Sequence, residues 1–524
     1  MFEIKAKDLA ARLGEIRTKS GVIKTPALLP VVNPVSQEIS PSEIGEIGFD
    51  AIITNAYLIK KYRKTEALEK GVHRLLGFSK PIMTDSGAYQ LLMYGDIDLT
   101  PEEIVYFQER IGSDIAVILD VPTMGASREE AEKSVQETIE NAIESIAHRH
   151  RDDILWVLPV QGGTYLDILS KSAEYTRKLP YHIVAIGSPV PIMERYRYDA
   201  LMEMIVTAKR IIPDNKPVHL FGAGHPMLFP FIVALGVDMF DSAAYILYAK
   251  DDRYMLPSGT MRLEELEVLP CTCPICSKYT ADELRKLNKF ERVRLLALHN
   301  LYVSYSEIKR VRQAIKDGVL WELLEERSRS HPMLYSAFKK IIKNIDYIME
   351  KSPSIKSNPV GIFFYDELSY YRPENLLHHK RLVEKYSKPE KAKVLILMEA
   401  DYNVKPYNKK GLYTKIRINK EFNEKMHIAF YIPFLGVIPE ELAETYPLSQ
   451  HEIPRPEDIS KEVNILTARS IANFIEKQGY CDVLIERPSY YKSLVEELIK
   501  ILRGKNLEFK LCSESEITEF ADYI

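Results

Sequence analysis

The 524-residue sequence predicts an α/β protein built on a (β/α)8 barrel and followed by a smaller α/β or α+β region. Two observations predict the barrel. Short apolar runs alternate with amphipathic helical patterns through about the first 250 residues, which is typical of parallel βαβ units. Polar residues recur just after these runs, where a barrel of this kind carries its active site. An open doubly wound parallel sheet is the alternative that the same alternation allows.

Apolar runs of strand length supply the predicted barrel strands, and seven or eight βα units in about 250 residues suit this fold. Amphipathic patterns between the runs predict helices, such as 128–146 and 165–177. The predicted strands lie at residues 51–54, 81–84, 115–119, 154–160, 182–186, 217–221 and 237–240.

A cluster of metal-binding residue types follows the predicted barrel strands. Three of the five cysteines, Cys271, Cys273 and Cys276, fall within six residues, and His299 follows on a helix-like stretch. Thiolates and an imidazole at this spacing suit a tetrahedral Zn²⁺ ion. Because four protein ligands leave no position for water, the sequence predicts one structural Zn²⁺ and places the chemistry elsewhere. A chance cluster of buried thiols is the alternative.

The second part of the chain has a different pattern. Helices are predicted from 281 to 349, and the Ser-, Pro- and Lys-rich residues 351–360 are predicted to form a linker. We expect a catalytic domain over residues 1–350, with a zinc subdomain at about 262–315, and one or two small domains over 351–524. Strands are predicted there at 394–398, 428–432, 483–485 and 509–511, and helices at 462–478 and 490–502.

Composition and charge narrow the class of protein. The 46% apolar and 27% charged content is ordinary for a globular protein, and no apolar run approaches the roughly 20 residues of a membrane span. The first residues carry no signal-peptide core and cysteines are few, so we expect a cytoplasmic protein without a membrane partner. Net charge is −4, yet residues 285–316 carry nine basic and two acidic residues. This stretch is either a phosphate-binding surface or a solvated helix face.

Polar and glycine residues follow six of the predicted strands. An aspartate there is commonly a helix N-cap and a glycine commonly makes the turn, but their convergence on one rim favours an active site. Asp and Gln side chains match the donors and acceptors of a purine-like ring. The segments are Asp85-Ser86-Gly87, Asp120, Gln161-Gly162-Gly163, Gly187-Ser188, Gly222-Ala223-Gly224-His225 and Asp241-Ser242.

In this order the motifs resemble the tRNA-guanine transglycosylase family, and the resemblance covers residues 1 to about 330. The sequence of one motif, FDSAAY (240–245), resembles that of the archaeal branch. A later segment, IPEELAETYP (438–447), resembles the domains that follow the barrel in archaeal members. The matching stretches are TDSGAYQ (84–90), ILDVPT (118–123), VQGG (160–163), AIGSPV (185–190), HLFGAGHP (219–226), FDSAAY (240–245) and CTCPIC (271–276) with His299.

The resemblance implies a base exchange in tRNA. Guanine 15 of the D-arm would leave and 7-cyano-7-deazaguanine, the archaeosine precursor, would enter. Asp241 would be the nucleophile that forms a ribosyl-enzyme intermediate, and Asp85 would manage protons, although two carboxylates facing one sugar allow the reverse assignment. Phe221 would stack on the base, while the polar and backbone contacts to the base would come from Ser86, Asp120, Gln161, Gly162, Gly187, Ser188 and Gly222.

The resemblance also implies partners. The family suggests a homodimer with the zinc region in its interface. The Gly-rich RNA-binding domain of the PUA type that ends many archaeal members is expected to be absent, so a separate RNA-binding protein is a candidate partner. Alternatives from other classes are a non-catalytic tRNA-binding subunit, an amidine-forming paralogue that acts later in archaeosine synthesis, and a zinc-containing sugar hydrolase unrelated to RNA.

Overall fold

The chain folds into two compact units, Met1–Ser357 and Asn358–Ile524. The computed structural model describes all residues except 89–98, 124, 126, 355, 357, 359, 402, 406, 408–410, 418–424 and 524, and it describes only the backbone of 415–417 and 521–523.

The first unit begins with a three-stranded antiparallel sheet in the order β1-β2-β3. This sheet precedes the barrel and was not among the predicted elements. Its strands are β1 (Phe2–Asp8), β2 (Ala11–Thr18) and β3 (Gly21–Thr25).

Eight parallel strands then close into a barrel in the order β10-β11-β4-β5-β6-β7-β8-β9, so the predicted (β/α)8 barrel is confirmed and the open sheet is excluded. The strand missing from the prediction is the first, which contains Pro30 and pairs with the last strand. The barrel strands are β4 (Ala27–Val32), β5 (Ile52–Asn55), β6 (Ile82–Asp85), β7 (Ile115–Val117), β8 (Leu155–Val160), β9 (Ile183–Ile186), β10 (Val218–Leu220) and β11 (Met239–Ser242).

Helices connect the barrel strands, and a hairpin of β12 (Arg253–Leu256) and β13 (Gly259–Arg262) follows β11. Further helices complete the unit. The α-helices of the first unit are Pro41–Ile47, Ala56–Tyr62, Lys64–Leu76, Pro101–Ile111, Arg128–Ala147, Leu166–Lys178, Val190–Glu194, Tyr198–Lys209, Phe229–Ala234, Ala244–Lys250, Ala281–Lys286, Lys289–Asp317, Leu320–Ser328, Pro332–Lys343 and Ile345–Lys351.

Apolar side chains from alternate strand positions fill the barrel interior, which makes it a packed core rather than a pore. Leu29, Met83, Val157 and Met239 are fully buried members of this core. Residues two positions further along a strand point the same way. Asp85 and Asp241, which follow Met83 and Met239 at this spacing, therefore face the mouth of the barrel.

The second unit is a doubly wound α/β structure with its own core. Its five-stranded sheet has the order β17-β16-β15-β19-β20, and only β17 is antiparallel to its neighbour. The strands are β14 (Ile362–Phe363), β15 (Val394–Glu399), β16 (Met426–Ile432), β17 (Gly436–Pro439), β18 (His451–Glu452), β19 (Asp482–Glu486) and β20 (Lys510–Cys512). The α-helices are Pro373–Glu384, Gly411–Arg417, Lys461–Gln478, Lys492–Gly504 and Glu514–Tyr523.

Among the described residues, no helix combines the length and the apolar character that crossing a bilayer requires.

Candidate active site

The carboxyl ends of the barrel strands bring the predicted site residues to one rim. Asp85 ends β6, and Asp241 lies in the last two residues of β11. Asp120 follows β7, Gln161 directly follows β8, and Ser188 lies two residues beyond β9. Since all strands are parallel, these side chains share the end of the barrel where such folds carry their active sites.

Asp120, Gln161 and Ser188 form one buried hydrogen-bond network. The Gln161 amide nitrogen donates to Asp120 Oδ2 at 2.6 Å, and its Oε1 accepts from the Ser188 hydroxyl at 2.8 Å. The Thr123 backbone N–H donates to Ser188 Oγ at 2.9 Å. The Ser86 hydroxyl lies 3.5 Å from Asp120 Oδ1. Because each group orients the next, the network presents a fixed pattern of donors and acceptors to a ligand.

Two glycines keep space open in this network. A Cβ on Gly187 would lie 2.3 Å from the Gln161 amide nitrogen. Gly162 has φ of +136°, and a Cβ there would lie 2.5 Å from the Leu169 backbone nitrogen. A side chain at Gly187 would displace the Gln161 amide of the network, and a side chain at Gly162 would collide with the helix Leu166–Lys178.

Asp241 is held by a neighbour that the sequence-based prediction missed. His219 Nε2 lies 2.8 Å from Asp241 Oδ1, and the Gly222 backbone N–H donates to the same oxygen at 3.0 Å. His219 is fully buried, and its ring packs edge-on against Phe221 with centroids 5.0 Å apart. A polar residue on the inward face near the end of a barrel strand is the signal that would have found it.

Burial and clustered charge raise the pKa of two carboxyl groups. Burial, together with the negative charges of Asp120 and Asp241, raises the pKa of Asp85 from 3.8 to about 7. Burial raises the pKa of Asp120 to about 6, although hydrogen bonds from Gln161 and Ser86 oppose this. The Asn55 amide lies 3.4 Å from Asp85 Oδ2 and is a second neighbour that the prediction missed. Asp85 therefore changes protonation near neutral pH, as an acid–base group requires.

The predicted metal ligands also converge. The sulfur atoms of Cys271, Cys273 and Cys276 and a ring nitrogen of His299 all lie within 4.8 Å of one another. His299 Nδ1 lies 3.3 Å from Cys276 Sγ, and its other nitrogen lies 2.9 Å from the Met255 carbonyl oxygen. That second contact fixes the ring so that Nδ1 faces the sulfurs. The donor set therefore fits one metal ion with four protein ligands.

The basic stretch 285–316 is less available to an external ligand than its charge suggests. Five of its arginines contact carboxylates within the fold, which favours a structural role for them. The pairs are Arg285–Asp282, Arg292–Asp252, Arg294–Glu43, Arg310–Glu326 and Arg312–Asp50.

Fold and site together define the class of the first unit: a (β/α)8-barrel protein with a carboxylate-lined rim and a separate Cys3His cluster. Comparisons with known proteins refine this class. Residues 7–333 match the profile of the family described as Queuine tRNA-ribosyltransferase (TGT), and the chain belongs to this family. Residues 377–520 match a domain of unknown function (DUF5591).

Archaeal relatives extend over most of the chain. A tRNA-guanine(15) transglycosylase of Aeropyrum pernix is 45% identical over 479 residues, which cover 91% of this chain and 92% of that protein. The protein of the same name from Methanocaldococcus jannaschii is 45% identical over 500 residues, covering 93% and 74%. That from Sulfolobus acidocaldarius is 41% identical over 488 residues, covering 92% and 94%.

Proposed function

We propose that this chain exchanges guanine at position 15 of tRNA for 7-cyano-7-deazaguanine, as a pentosyltransferase in archaeosine biosynthesis. The observation that carries the proposal is the convergence of Asp85, Asp120 and Asp241 on one barrel rim in a member of the TGT family. Relatives named tRNA-guanine(15) transglycosylase support the choice of position.

Asp241 is the proposed nucleophile. Its carboxylate attacks the anomeric carbon of the ribose as the bond to guanine breaks, which leaves a covalent ribosyl-aspartate. Attack by the incoming base then releases Asp241, so the two displacements retain the stereochemistry. His219 and the Gly222 N–H both contact Oδ1, which leaves Oδ2 as the oxygen for attack.

Asp85 is the proposed acid–base group. A pKa of about 7 lets its carboxyl group donate a proton to the leaving guanine and its carboxylate accept one from the incoming base. The proton that Asp85 gives to the leaving guanine is thus replaced by the proton from the incoming base, and each cycle returns Asp85 to its starting state. The reverse assignment of Asp85 and Asp241 is the alternative that the experiment below separates.

The remaining residues hold the base in our proposal. Asp120 accepts hydrogen bonds from the ring and exocyclic N–H groups of guanine. Gln161 and Ser188 form hydrogen bonds with the adjacent edge of the base. Gly162, Gly187 and Gly222 allow the flat ring to approach the backbone. Ser86 orients Asp120, and Phe221 stacks on one face of the ring.

The metal is proposed to be a single structural Zn²⁺ held by Cys271, Cys273, Cys276 and His299. Three thiolates and one imidazole suit this ion better than harder cations. When bound, it ties the 271–276 loop to the helix Lys289–Asp317.

The proposed partners are tRNA, guanine and 7-cyano-7-deazaguanine. We further propose a cytoplasmic homodimer that works with a separate PUA-type RNA-binding protein. A base within folded tRNA must leave its stack to reach a barrel rim, and such a partner would help to expose it.

The test is incorporation of labelled guanine or 7-cyano-7-deazaguanine into an unmodified tRNA transcript, with a transcript carrying adenosine at position 15 as control. We expect incorporation into the first transcript alone. If the protein exchanges no base, even when an RNA-binding partner is added, the proposal is refuted. A product whose mass shows an amidine rather than a nitrile would instead identify the amidine-forming activity.

Adduct trapping separates the two aspartates. We expect Asp241→Ala to abolish the covalent enzyme–tRNA adduct. The Asp85→Ala variant should still be able to form the adduct, because it keeps Asp241. An adduct at full yield in Asp241→Ala would reverse the assignment.

A further inference from the structure

A cavity of about 200 Å³ lies beside the base-recognition residues, among the loops that follow β7, β8 and β9. It shares Thr123 and Ser188 with the network around Gln161. Two cationic side chains, Arg195 and Arg197, also line it. The cavity therefore joins the proposed base site to a positively charged part of the rim.

The segment between these arginines has a fixed and uncommon backbone. Tyr196 has φ of +54°, a left-handed conformation that bulky residues seldom adopt. The Tyr196 N–H donates to the Met193 carbonyl and the Arg197 N–H donates to the Ile192 carbonyl, each at 2.9 Å. These two bonds form a Schellman cap at the C-terminal end of the helix Val190–Glu194, so they fix the backbone of Tyr196 between two residues that line the cavity.

Tyr196 is presented to solvent. It is 50% exposed, although its ring stacks on His331 with centroids 5.3 Å apart. Burial raises the pKa of Tyr248, and the Tyr196 side chain adds to this effect through its charge interaction, so the two side chains lie within electrostatic range of each other. Tyr248 belongs to the helix Ala244–Lys250, which begins three residues after Asp241, so Tyr196 lies within electrostatic range of that helix.

The two arginines are available to an anion. Arg195 and Arg197 are both exposed, and Arg197 lies 3.6 Å from Asp199, whose side chain is partly exposed. An exposed pair at this distance is weak and is readily exchanged for a phosphate. Arg292 and Arg312 in stretch 285–316 differ, because their side chains are largely buried beside Asp252 and Asp50.

We propose that Arg195, Tyr196 and Arg197 form the subsite for the nucleotide that flanks the exchanged guanosine in the tRNA strand. The arginines neutralise its phosphate, and Tyr196 stacks on its base. A guanosine turned out of its stack carries its neighbours' phosphates to the rim, where this segment lies. The inference rests on the proposed base exchange, because it assigns a strand-binding role beside that reaction.

The experiment measures exchange of labelled guanine into the tRNA transcript with full-length variants. For Arg195→Ala/Arg197→Ala we expect the KM for tRNA to rise roughly tenfold or more, while the KM for guanine stays unchanged. The slope of log affinity against log salt should fall in magnitude by about 1 to 2, depending on whether one or both arginines bind phosphate. Tyr196→Ala should raise the KM for tRNA by about tenfold, and Tyr196→Phe should leave it unchanged.

The matched control is Arg74→Ala/Lys178→Ala, which removes the same charge from the last turns of two barrel helices, away from the rim. It should leave the KM for tRNA and the salt slope unchanged. If the rim variant behaves like this control while wild type exchanges guanine, the subsite is refuted. A rise in the KM for guanine equal to that for tRNA would also refute it, because the residues would then serve the free base. An inactive wild-type enzyme would instead refute the base exchange itself.

Discussion

Asp85 is a carboxyl group that the fold keeps partly protonated near neutral pH, since its pKa is about 7 rather than 3.8. A group whose pKa is higher in the folded state favours folding only while it holds its proton. Its contribution is complete below about pH 4 and is lost as pH rises through about 7. At alkaline pH the ionised Asp85 therefore destabilises the folded protein.

Asp85→Asn should consequently be inactive yet more stable than wild type. At pH 8 the difference in the free energy of unfolding should be on the order of 4 kcal/mol, because the pKa of Asp85 rises from 3.8 to about 7 and one pKa unit corresponds to about 1.4 kcal/mol. The difference should shrink markedly at pH 5, where the folded wild type is protonated. Denaturant unfolding at both values measures it, and an equal difference at both would contradict the pKa argument.

His219 is expected to be a positioning residue for Asp241. His219→Phe keeps an aromatic ring in the barrel but removes the contact to Oδ1. We expect kcat to fall by roughly 10- to 100-fold with little change in the KM for guanine, and adduct formation to slow in parallel. A variant in which KM rises and kcat is unchanged would show that His219 only supports the base pocket.

The substitution Gly187→Ala tests whether the base pocket requires a residue without a side chain at this position. In Gly187→Ala the new Cβ would lie 2.3 Å from the Gln161 amide nitrogen and push it away from Asp120. We expect the KM for guanine to rise about tenfold or more, while thermal stability changes little. Gly504→Ala is the control, because nothing lies within 4 Å of its Cβ.

At the scale of elements, the metal cluster joins a long helix, a hairpin strand and the cysteine loop. His299 lies on the helix Lys289–Asp317, its Nε2 contacts the carbonyl of Met255 on β12, and the three cysteines lie in the loop beyond β13. Removing the ion should loosen this whole region, because metal binding contributes directly to its folding.

Cys273→Ser should therefore lose the bound metal and lower the unfolding midpoint by roughly 5 °C or more. Cys481→Ser, at an exposed free cysteine, should change neither property. Elemental analysis and calorimetry measure the two effects. A metal-free Cys273→Ser protein with the wild-type midpoint would contradict the structural role.

Element prediction from sequence succeeded where apolar runs were clear and failed where the chain broke that pattern. The seven predicted barrel strands are present, but β4 was missed because Pro30, which lacks an N–H for strand pairing, interrupts its apolar run. His219 was missed because its role depends on a contact between residues that are distant in sequence. Its partner Asp241 lies 22 residues away on the next strand, and only the closed barrel brings the two together.

At the scale of the whole molecule, the chain consists of two units with separate cores. We expect residues 358–524 to fold when expressed alone, because the doubly wound sheet is complete within them. A cooperative thermal transition would verify this. A fragment ending at residue 478, which lacks β19 and β20, should not show one. A fragment 358–524 that stays unfolded would mean that its core depends on the first unit.

The buried pair of Asp120 and Gln161 has a thermodynamic consequence. With a pKa of about 6, Asp120 holds a proton in part of the free protein, yet it must be ionised to accept the N–H groups of guanine. Base binding would therefore release a proton, and affinity for guanine would weaken as the solution becomes more acidic than pH 6. The enthalpy of guanine binding would then depend on the ionisation heat of the buffer, so calorimetry in two buffers would count the protons that leave.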